Sequence, residues 1–83
     1  MKLVYFAWVR ERIGKEAETL TPPDEVKTVA DLLEWLKARG DGYAAALEVP
    51  EIIRVAVDQQ HVTHDSRLPE NGEIALFPPM TGG

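Results

Sequence analysis

The sequence contains no cysteine among its 83 residues. A disulfide framework, a thiolate nucleophile and a sulfur-ligated metal are therefore excluded. Long apolar runs are also missing: the longest near the start, LVYFAWV, has seven residues, against the roughly 20 that span a bilayer. The amino terminus lacks the form of a signal peptide. These absences predict a cytoplasmic protein without a membrane partner.

Basic residues are fewer than acidic ones. Nine basic residues stand against fourteen acidic ones, the formal net charge is -5, and the basic residues are scattered along the chain. A nucleic-acid partner requires clustered basic residues to hold the phosphate backbone, so none is expected. A basic protein surface is a better match, because complementary charge speeds encounter.

Catalytic signatures are missing as well. The chain has no G-x-S-x-G sequence and no glycine-rich phosphate loop, and Ser66 is its only serine. His61 and His64 form the sequence HVTH, but no third metal ligand lies nearby in a strand-to-turn segment, which indicates solvent-facing histidines. We expect no metal, no stably bound cofactor and no catalytic side chain.

What is present is the pattern of one small domain. Alternating, β-branched or aromatic segments predict five strands: Lys2–Val9, Glu16–Thr21, Ile52–Asp58, a brief strand within QHVTHD, and Glu73–Phe77. The segment RERIGK, which contains Gly14, would form the turn of a wide hairpin between the first two strands. Those two strands would then pair directly.

Helices are predicted between the second and third strands. Thr28 and Asp31 form a capping box ahead of VADLLEWLKARG, and the apolar residues of this segment recur with helical spacing, with Gly40 as the stop. DGYAAALE, from Asp41 to Glu48, predicts a short second helix that ends before Pro50.

This order of elements predicts an α+β fold in which one main helix packs on one face of a mixed sheet. The β-grasp arrangement of ubiquitin is the small fold that fits it best. We expect the folded domain to occupy residues 1–79, followed by a flexible tail, residues 80–83, that ends in Gly-Gly.

The carboxyl-terminal segment differs from the rest of the chain. IALFPPMTGG, from Ile74 to Gly83, carries no charged side chain, although 28% of the residues are charged. Charged groups are costly to desolvate, so this composition is typical of a segment that inserts into a partner. Pro78 and Pro79 would end the strand stiffly, and Gly82 would pass a narrow tunnel because it has no Cβ. The segment predicted to insert is Pro78, Pro79, Met80, Thr81 and Gly82, with Gly83 at its tip.

Strand alternation also predicts an exposed apolar patch beside the tail. One helix can cover only one face of the sheet. If Leu3, Tyr5 and Phe77 belong to the core, then Phe6 and Leu76 face outward, with His61 at the rim. Exposed apolar patches mark interfaces, so Phe6, His61 and Leu76 are the predicted partner surface.

Several segments together resemble one known family. FAWVRERIG (Phe6 to Gly14), TVADLL (Thr28 to Leu33), VAVDQQ (Val55 to Gln60) and NGEIALFPPMTGG (Asn71 to Gly83) are similar to the small subunit of molybdopterin synthase, the MoaD family of ubiquitin-like sulfur carriers. The resemblance covers nearly the whole chain. Asp58 stands where that family often has Asn, and Met80 where it often has Val.

The resemblance implies a function at the carboxyl terminus. An activating enzyme would consume ATP to adenylate the Gly83 carboxylate, and sulfur would replace the adenylate to give a thiocarboxylate. The loaded tail would enter the large subunit, in a heterotetramer of two small and two large subunits, and donate sulfur to cyclic pyranopterin monophosphate in molybdenum cofactor biosynthesis. Pterin contacts and acid-base groups would belong to the large subunit.

Two alternatives remain open at this point. One is a sulfur carrier for another pathway, such as thiazole synthesis, or a ubiquitin-related protein modifier, although thiazole carriers are shorter and lack residues similar to LFPP before the tail. The other is an interaction module whose terminal glycines have no function. This alternative does not explain why the tail carries no charged residue.

Overall fold

The computed structural model describes residues 1–79, which form a five-stranded mixed sheet with helices packed on one face. The strands are β1 (Lys2–Tyr5), β2 (Ala17–Thr19), β3 (Arg54–Val57), β4 (Gln60–Val62) and β5 (Glu73–Phe77). The helices are α1 (Ala7–Ile13), α2 (Val29–Lys37) and α3 (Asp41–Ala46), and a 3-10 turn spans Pro50–Ile52. The predicted limits of the last strand are confirmed.

The strand order is β2-β1-β5-β3-β4, with β1 and β5 parallel and all other neighbours antiparallel. The first and last strands of the domain therefore lie side by side at its centre. This is the β-grasp arrangement, and the predicted α+β fold class is confirmed.

The main helix, α2, begins where the capping box predicted. Thr28 Oγ1 accepts a hydrogen bond from the Asp31 amide at 3.2 Å, and Asp31 Oδ2 accepts one from the Thr28 amide at 3.1 Å. The amide of Lys27 also donates to Asp31 Oδ2, and these backbone donors lower the pKa of the Asp31 carboxyl. One face of α2 is buried, and it carries Val29, Leu32, Leu33 and Leu36.

The predicted hairpin turn at RERIGK is wrong. β1 and β2 do pair, but the chain leaves β1 after Tyr5 and forms α1 before it returns. Ala7 has a φ of 52°, a left-handed conformation that turns the chain sharply, and Gly14 ends the helix with a φ of 85°. The first strand is therefore four residues shorter than predicted.

The third helix packs closely against the first. A Cβ placed on Gly42 would lie 2.7 Å from the carbonyl oxygen of Arg12, so only glycine fits at this contact. The core between helices and sheet also contains Leu3, Tyr5 and Val9, all fully buried. None of the helices formed by residues 1–79 combines the length and apolarity needed to cross a membrane.

Candidate functional site: the exit end of the sheet

The segment predicted to act leaves the domain from its central strand. β5 is hydrogen-bonded to β1 on one side and to β3 on the other. At its end the Phe6 amide donates to the Leu76 carbonyl at 3.1 Å, which ties the last strand to the start of α1. Pro78 and Pro79 follow and are half-buried. We call the surface formed by Phe6, His61, Phe77, Pro78 and Pro79 the exit end.

Leu76 does not belong to this surface, and its predicted exposure is wrong. Leu76 is fully buried, and it pairs in register with Tyr5 on the helix-covered face of the sheet. Phe77, predicted for the core, is half-buried and points to the opposite face. Alternation along β5 correctly separated these two residues, but the sequence did not show which of them the helices cover.

Phe6 is exposed, as predicted. Its side chain retains 47% of its accessible surface, the joint largest exposure among the big apolar residues of the described chain, shared with Val49. It occupies the N-cap position of α1 in an extended conformation, directly before the left-handed Ala7. This turn holds Phe6 away from the core beside the end of β5.

His61 and Phe77 meet on the uncovered face of the sheet. Their ring centroids lie 5.3 Å apart at an interplanar angle of 79°, an edge-to-face contact. Beside them, one row of paired positions carries small residues, namely Ala75 on β5 and Ala56 on β3. The exit end therefore presents aromatic groups next to a shallow surface that another protein could approach closely.

A groove of about 470 Å³ lies beside the exit end. Val55 and Val62, a cross-strand pair, line it together with Ile52 of the 3-10 turn and Pro79. His64 also lines the groove, and its Nε2 lies 2.7 Å from the carbonyl oxygen of Ile53. His64 is thus engaged with the backbone, while His61 contacts Phe77.

The best-connected polar cluster lies elsewhere, where β1, β2 and α3 meet. The Glu18 carboxylate accepts hydrogen bonds from the hydroxyls of Tyr5 at 2.7 Å and Tyr43 at 2.5 Å, and from Lys15 Nζ at 3.2 Å. Burial works to raise the pKa of Glu18, but the donors from Tyr43, Tyr5 and Lys15 outweigh it and lower that pKa. Burial, and then the bond to Glu18, raise the pKa of Tyr5. Sequence reasoning did not find this cluster, since its two tyrosines lie 13 and 25 residues from Glu18 in the chain.

The hydrogen bonds of this cluster hold parts of the fold together, and its carboxylate is not open to a substrate. Glu18 keeps 11% of its side-chain surface, and its bonds join the edge strand β2 to a core tyrosine and to α3. Within residues 1–79 no group of three or more His, Asp or Glu side chains could hold a metal ion. The predicted tail residues Met80, Thr81, Gly82 and Gly83 lie outside the described residues, so their roles stay predictions.

Comparison with known proteins finds one family and several relatives that match almost the whole chain. The ThiS family matches residues 3–83. The chain is 37% identical to the molybdopterin synthase sulfur carrier subunit of Escherichia coli strain K12, over all of this chain and 99% of that protein. It is 31% identical to small archaeal modifier protein 3 of Haloferax volcanii, over all of this chain and 98% of that one.

A solved structure supports the same assignment. A putative molybdopterin converting factor subunit 1 from Pyrococcus furiosus superposes with a TM-score of 0.75 and 25% identity, covering 95% of each chain. The family match and the full-length sequence match both include the carboxyl-terminal residues. The chain therefore belongs to the ThiS family, as a MoaD-like ubiquitin-like sulfur carrier.

Proposed function

We propose that this chain is the sulfur carrier subunit of a molybdopterin synthase, with the carboxylate of Gly83 as its reactive group. The observation that carries the proposal is the exit end: the central strand β5 runs into two half-buried prolines beside exposed Phe6 and the His61–Phe77 pair. Pro79 therefore follows a strand that is paired on both sides, and it lies next to a surface suited to a partner. The full-length relatives named as sulfur carrier subunits support this reading.

The proposed chemistry begins with activation. A carboxylate is a poor electrophile, so an oxygen of Gly83 attacks the α-phosphate of ATP on an activating enzyme, and pyrophosphate leaves. A sulfur nucleophile then attacks the carbonyl carbon, AMP leaves, and the terminus becomes a thiocarboxylate. The chain has no cysteine, so that sulfur comes from a donor outside the chain.

The second stage is transfer on the large subunit. The tail from Pro78 to Gly82 carries the thiocarboxylate into that subunit, and Gly83 donates sulfur to cyclic pyranopterin monophosphate. In each of two transfers the thiocarboxylate sulfur bonds to a carbon of the pterin side chain and displaces an oxygen substituent. Water then cleaves the bond between that sulfur and the Gly83 carbonyl carbon, which regenerates the carboxylate. Phe6, His61 and Phe77 supply the docking surface, because exposed aromatic groups contribute strongly to interfaces. The large subunit supplies the contacts to the pterin.

The direct test is the mass of the protein isolated from its own cells. We expect a fraction in which one sulfur has replaced one oxygen at Gly83, and we expect this fraction to convert the pterin precursor when purified large subunit is added. A matched sample lacking Gly83 is the control and should show neither property. Full-length protein that never carries sulfur, even when the activating enzyme, ATP and a source of sulfide are present, would contradict the proposal.

One alternative function has a specific observation in its favour. The relative from Haloferax volcanii is named a modifier protein, and a modifier uses the same carboxyl terminus. In that case the activated Gly83 would be joined to lysine side chains of other proteins. The same mass measurement separates the two functions, because a modifier appears as conjugates of higher mass and a carrier as the thiocarboxylate.

A further inference from the structure

Within residues 1–79 three large apolar side chains are exposed, and two of them belong to one short turn. Phe6 lies at the exit end. Val49 and Ile52, which are 47% and 44% exposed, begin and end the segment that contains the 3-10 turn. We call this segment, residues 49–52, the 49–52 ridge. Exposed apolar groups gathered in one place mark interfaces, so the ridge is a candidate docking surface.

The ridge is anchored on both sides, although it lies outside the core. Leu47 before it is fully buried, and Ile53 after it is only 1% exposed. The Ile52 amide donates to the Val49 carbonyl at 3.2 Å, and the Ile53 amide donates to the Pro50 carbonyl at 3.0 Å. The two exposed side chains therefore project from an ordered turn, and a partner that binds them has little further ordering to impose.

The ridge is continuous with the exit end. Ile52 and Pro79 line the same groove, whose floor is the Val55–Val62 pair. Pro79 also belongs to the exit end, so the two surfaces meet at this residue. A protein that takes up the tail beyond Pro79 therefore faces the groove, with the ridge as its far wall.

Interface size decides which partner uses the ridge. A stable protein–protein interface takes about 20–30 residues a side, and a transient one takes fewer. Five residues define the exit end, and the four tail residues added to them still fall short of that number. We propose that the 49–52 ridge is a second docking surface for the large subunit, and that the activating enzyme, which must release the carrier after each activation, binds without it. This inference rests on the proposed function, which makes the chain a subunit of the synthase.

The charges of the ridge indicate the chemistry of the surface that it fits. Glu48 and Glu51 are exposed and form no salt bridge within residues 1–79. Among the described residues that line the groove, Arg54 is the one lysine or arginine, and it lies opposite Phe77 in the strand register, beside the exit end. The ridge is therefore acidic as well as apolar. It fits an apolar pocket of the large subunit that is bordered by lysine or arginine.

Titration calorimetry with purified large subunit tests the apolar part of the ridge. Val49→Glu and Ile52→Glu should each weaken association by about tenfold or more, since a charge placed in an interface must be desolvated. Both side chains are exposed, so the melting temperature should stay near the wild-type value. The matched control is Ala17→Glu, at an exposed residue of β2 on the sheet edge opposite β4. It adds the same charge and should leave the affinity unchanged.

The acidic part of the ridge has its own pair of variants. Glu51→Lys should weaken binding to the large subunit by about tenfold, because it places a cation against basic residues. Glu16→Lys, an exposed residue directly before β2, makes the same change in net charge and should have little effect. The wild-type affinity should also fall as salt is raised, and Glu51→Lys should reduce that dependence.

Pyrophosphate release with the activating enzyme and ATP compares the two partners. Val49→Glu, Ile52→Glu and Glu51→Lys should each keep this rate within about twofold of the wild type, since a transient interface needs less surface. A normal rate also shows that the variant is folded and that its terminus is intact.

Three outcomes would overturn this inference. One is wild-type affinity of both Val49→Glu and Ile52→Glu for the large subunit. Another is an equal loss with the activating enzyme, which would assign the ridge to both partners. The third is an equal loss in Ala17→Glu, because the effect would then follow net charge. A wild-type chain that binds no large subunit would overturn the proposed function together with this inference, and that result is seen before any variant is tested, so the two failures are distinguishable.

Discussion

The two ends of β5 differ in their surroundings: hydrogen bonds dominate at its start, and apolar side chains dominate at its end. At its start, the Glu73 amide donates to Asp58 Oδ1 at 3.0 Å, and the Asp58 amide donates to the Glu73 carbonyl at 2.9 Å. The Lys2 amide closes the same end by donating to the Gly72 carbonyl at 2.9 Å. At its carboxyl end, the strand closes with half-buried Phe77, lies beside exposed Phe6 and is followed by two prolines. At one end the polar groups are satisfied within the domain, and at the other apolar surface stays exposed.

This difference separates stability from function along a single strand. Changes at the start of β5 and in its buried positions should alter folding, whereas changes beyond Phe77 should alter activity alone. The following variants test that separation, beginning with the largest expected effect.

The terminus should give the largest effect on activity. Adding one alanine after Gly83, or replacing Gly82→Val, should reduce ATP-dependent pyrophosphate release with the activating enzyme by at least about a hundredfold, roughly 2.7 kcal/mol in the barrier. The added residue displaces the carboxylate, and valine places a branched Cβ where the tail must be narrow. The melting temperature should not change. Normal activation of a blocked terminus would rule out the carrier function.

The buried half of β5 should give the largest effect on stability. Leu76→Ala should lower the free energy of unfolding by about 2–5 kcal/mol, because Leu76 is fully buried between the sheet and the helices. Phe6→Ala removes a larger side chain and should cost less than about 1 kcal/mol, since Phe6 is 47% exposed. Chemical denaturation of the two variants measures both values. Equal losses would show that Phe6 also supports the core.

The exit end should affect binding without affecting folding. Phe6→Asp should weaken association with the large subunit by about tenfold or more, since a charge in an interface must be desolvated. Lys2→Asp is a control on an exposed residue at the opposite end of β1. Titration calorimetry gives both dissociation constants. An unchanged affinity for Phe6→Asp would place the partner surface elsewhere.

The Glu18 cluster should add a pH dependence at acid pH. The folded state lowers the pKa of Glu18, so its stabilising contribution is present above the ordinary pKa of about 4.3 and is lost as pH falls through the lower folded value. Glu18→Gln should therefore flatten the fall in stability between about pH 5 and pH 3. Asp31 has a lowered pKa for a different reason, its backbone donors, and should retain its own part of that fall. Thermal melts at several pH values distinguish the two.

The turn between β3 and β4 should give the smallest effect, in the stabilising direction. Asp58 and Gln59 have φ angles of 48° and 72°, as a two-residue type I′ hairpin turn requires. Gln59→Gly should raise the free energy of unfolding by about 0.5–1 kcal/mol, because glycine adopts this conformation without steric cost. Gln60→Gly, one residue later and within β4, should instead destabilise the protein. Differential scanning calorimetry resolves changes of this size.

The sequence predicted those parts of the fold that depend on local signals. The capping box at Thr28 located the start of α2, and the turn signal at Gly72 followed by EIALF located β5. Helix α1 was missed because AWVRERI begins with apolar residues typical of strands, and only Val9 of that helix is buried. Gly14 was a usable signal, since glycine after a helix commonly takes the left-handed conformation observed here.

The site was only partly predictable for a physical reason. Alternation assigns Leu76 and Phe77 to opposite faces, but the choice between faces depends on where the helices pack, which is a long-range property. Phe6 was assigned correctly because it lies next to the end of the strand. The groove could not be predicted at all, since it brings together Ile52, Val62 and Pro79 from three separate segments.

The central position of β5 also has a mechanical consequence. A partner that draws the tail into a tunnel pulls along the axis of a strand flanked on both sides. Such tension loads the hydrogen bonds to β1 and β3 together, in shear, instead of opening them one after another from an edge. If the carrier works as proposed, this arrangement lets the domain stay folded under such tension through repeated cycles of loading, insertion and release.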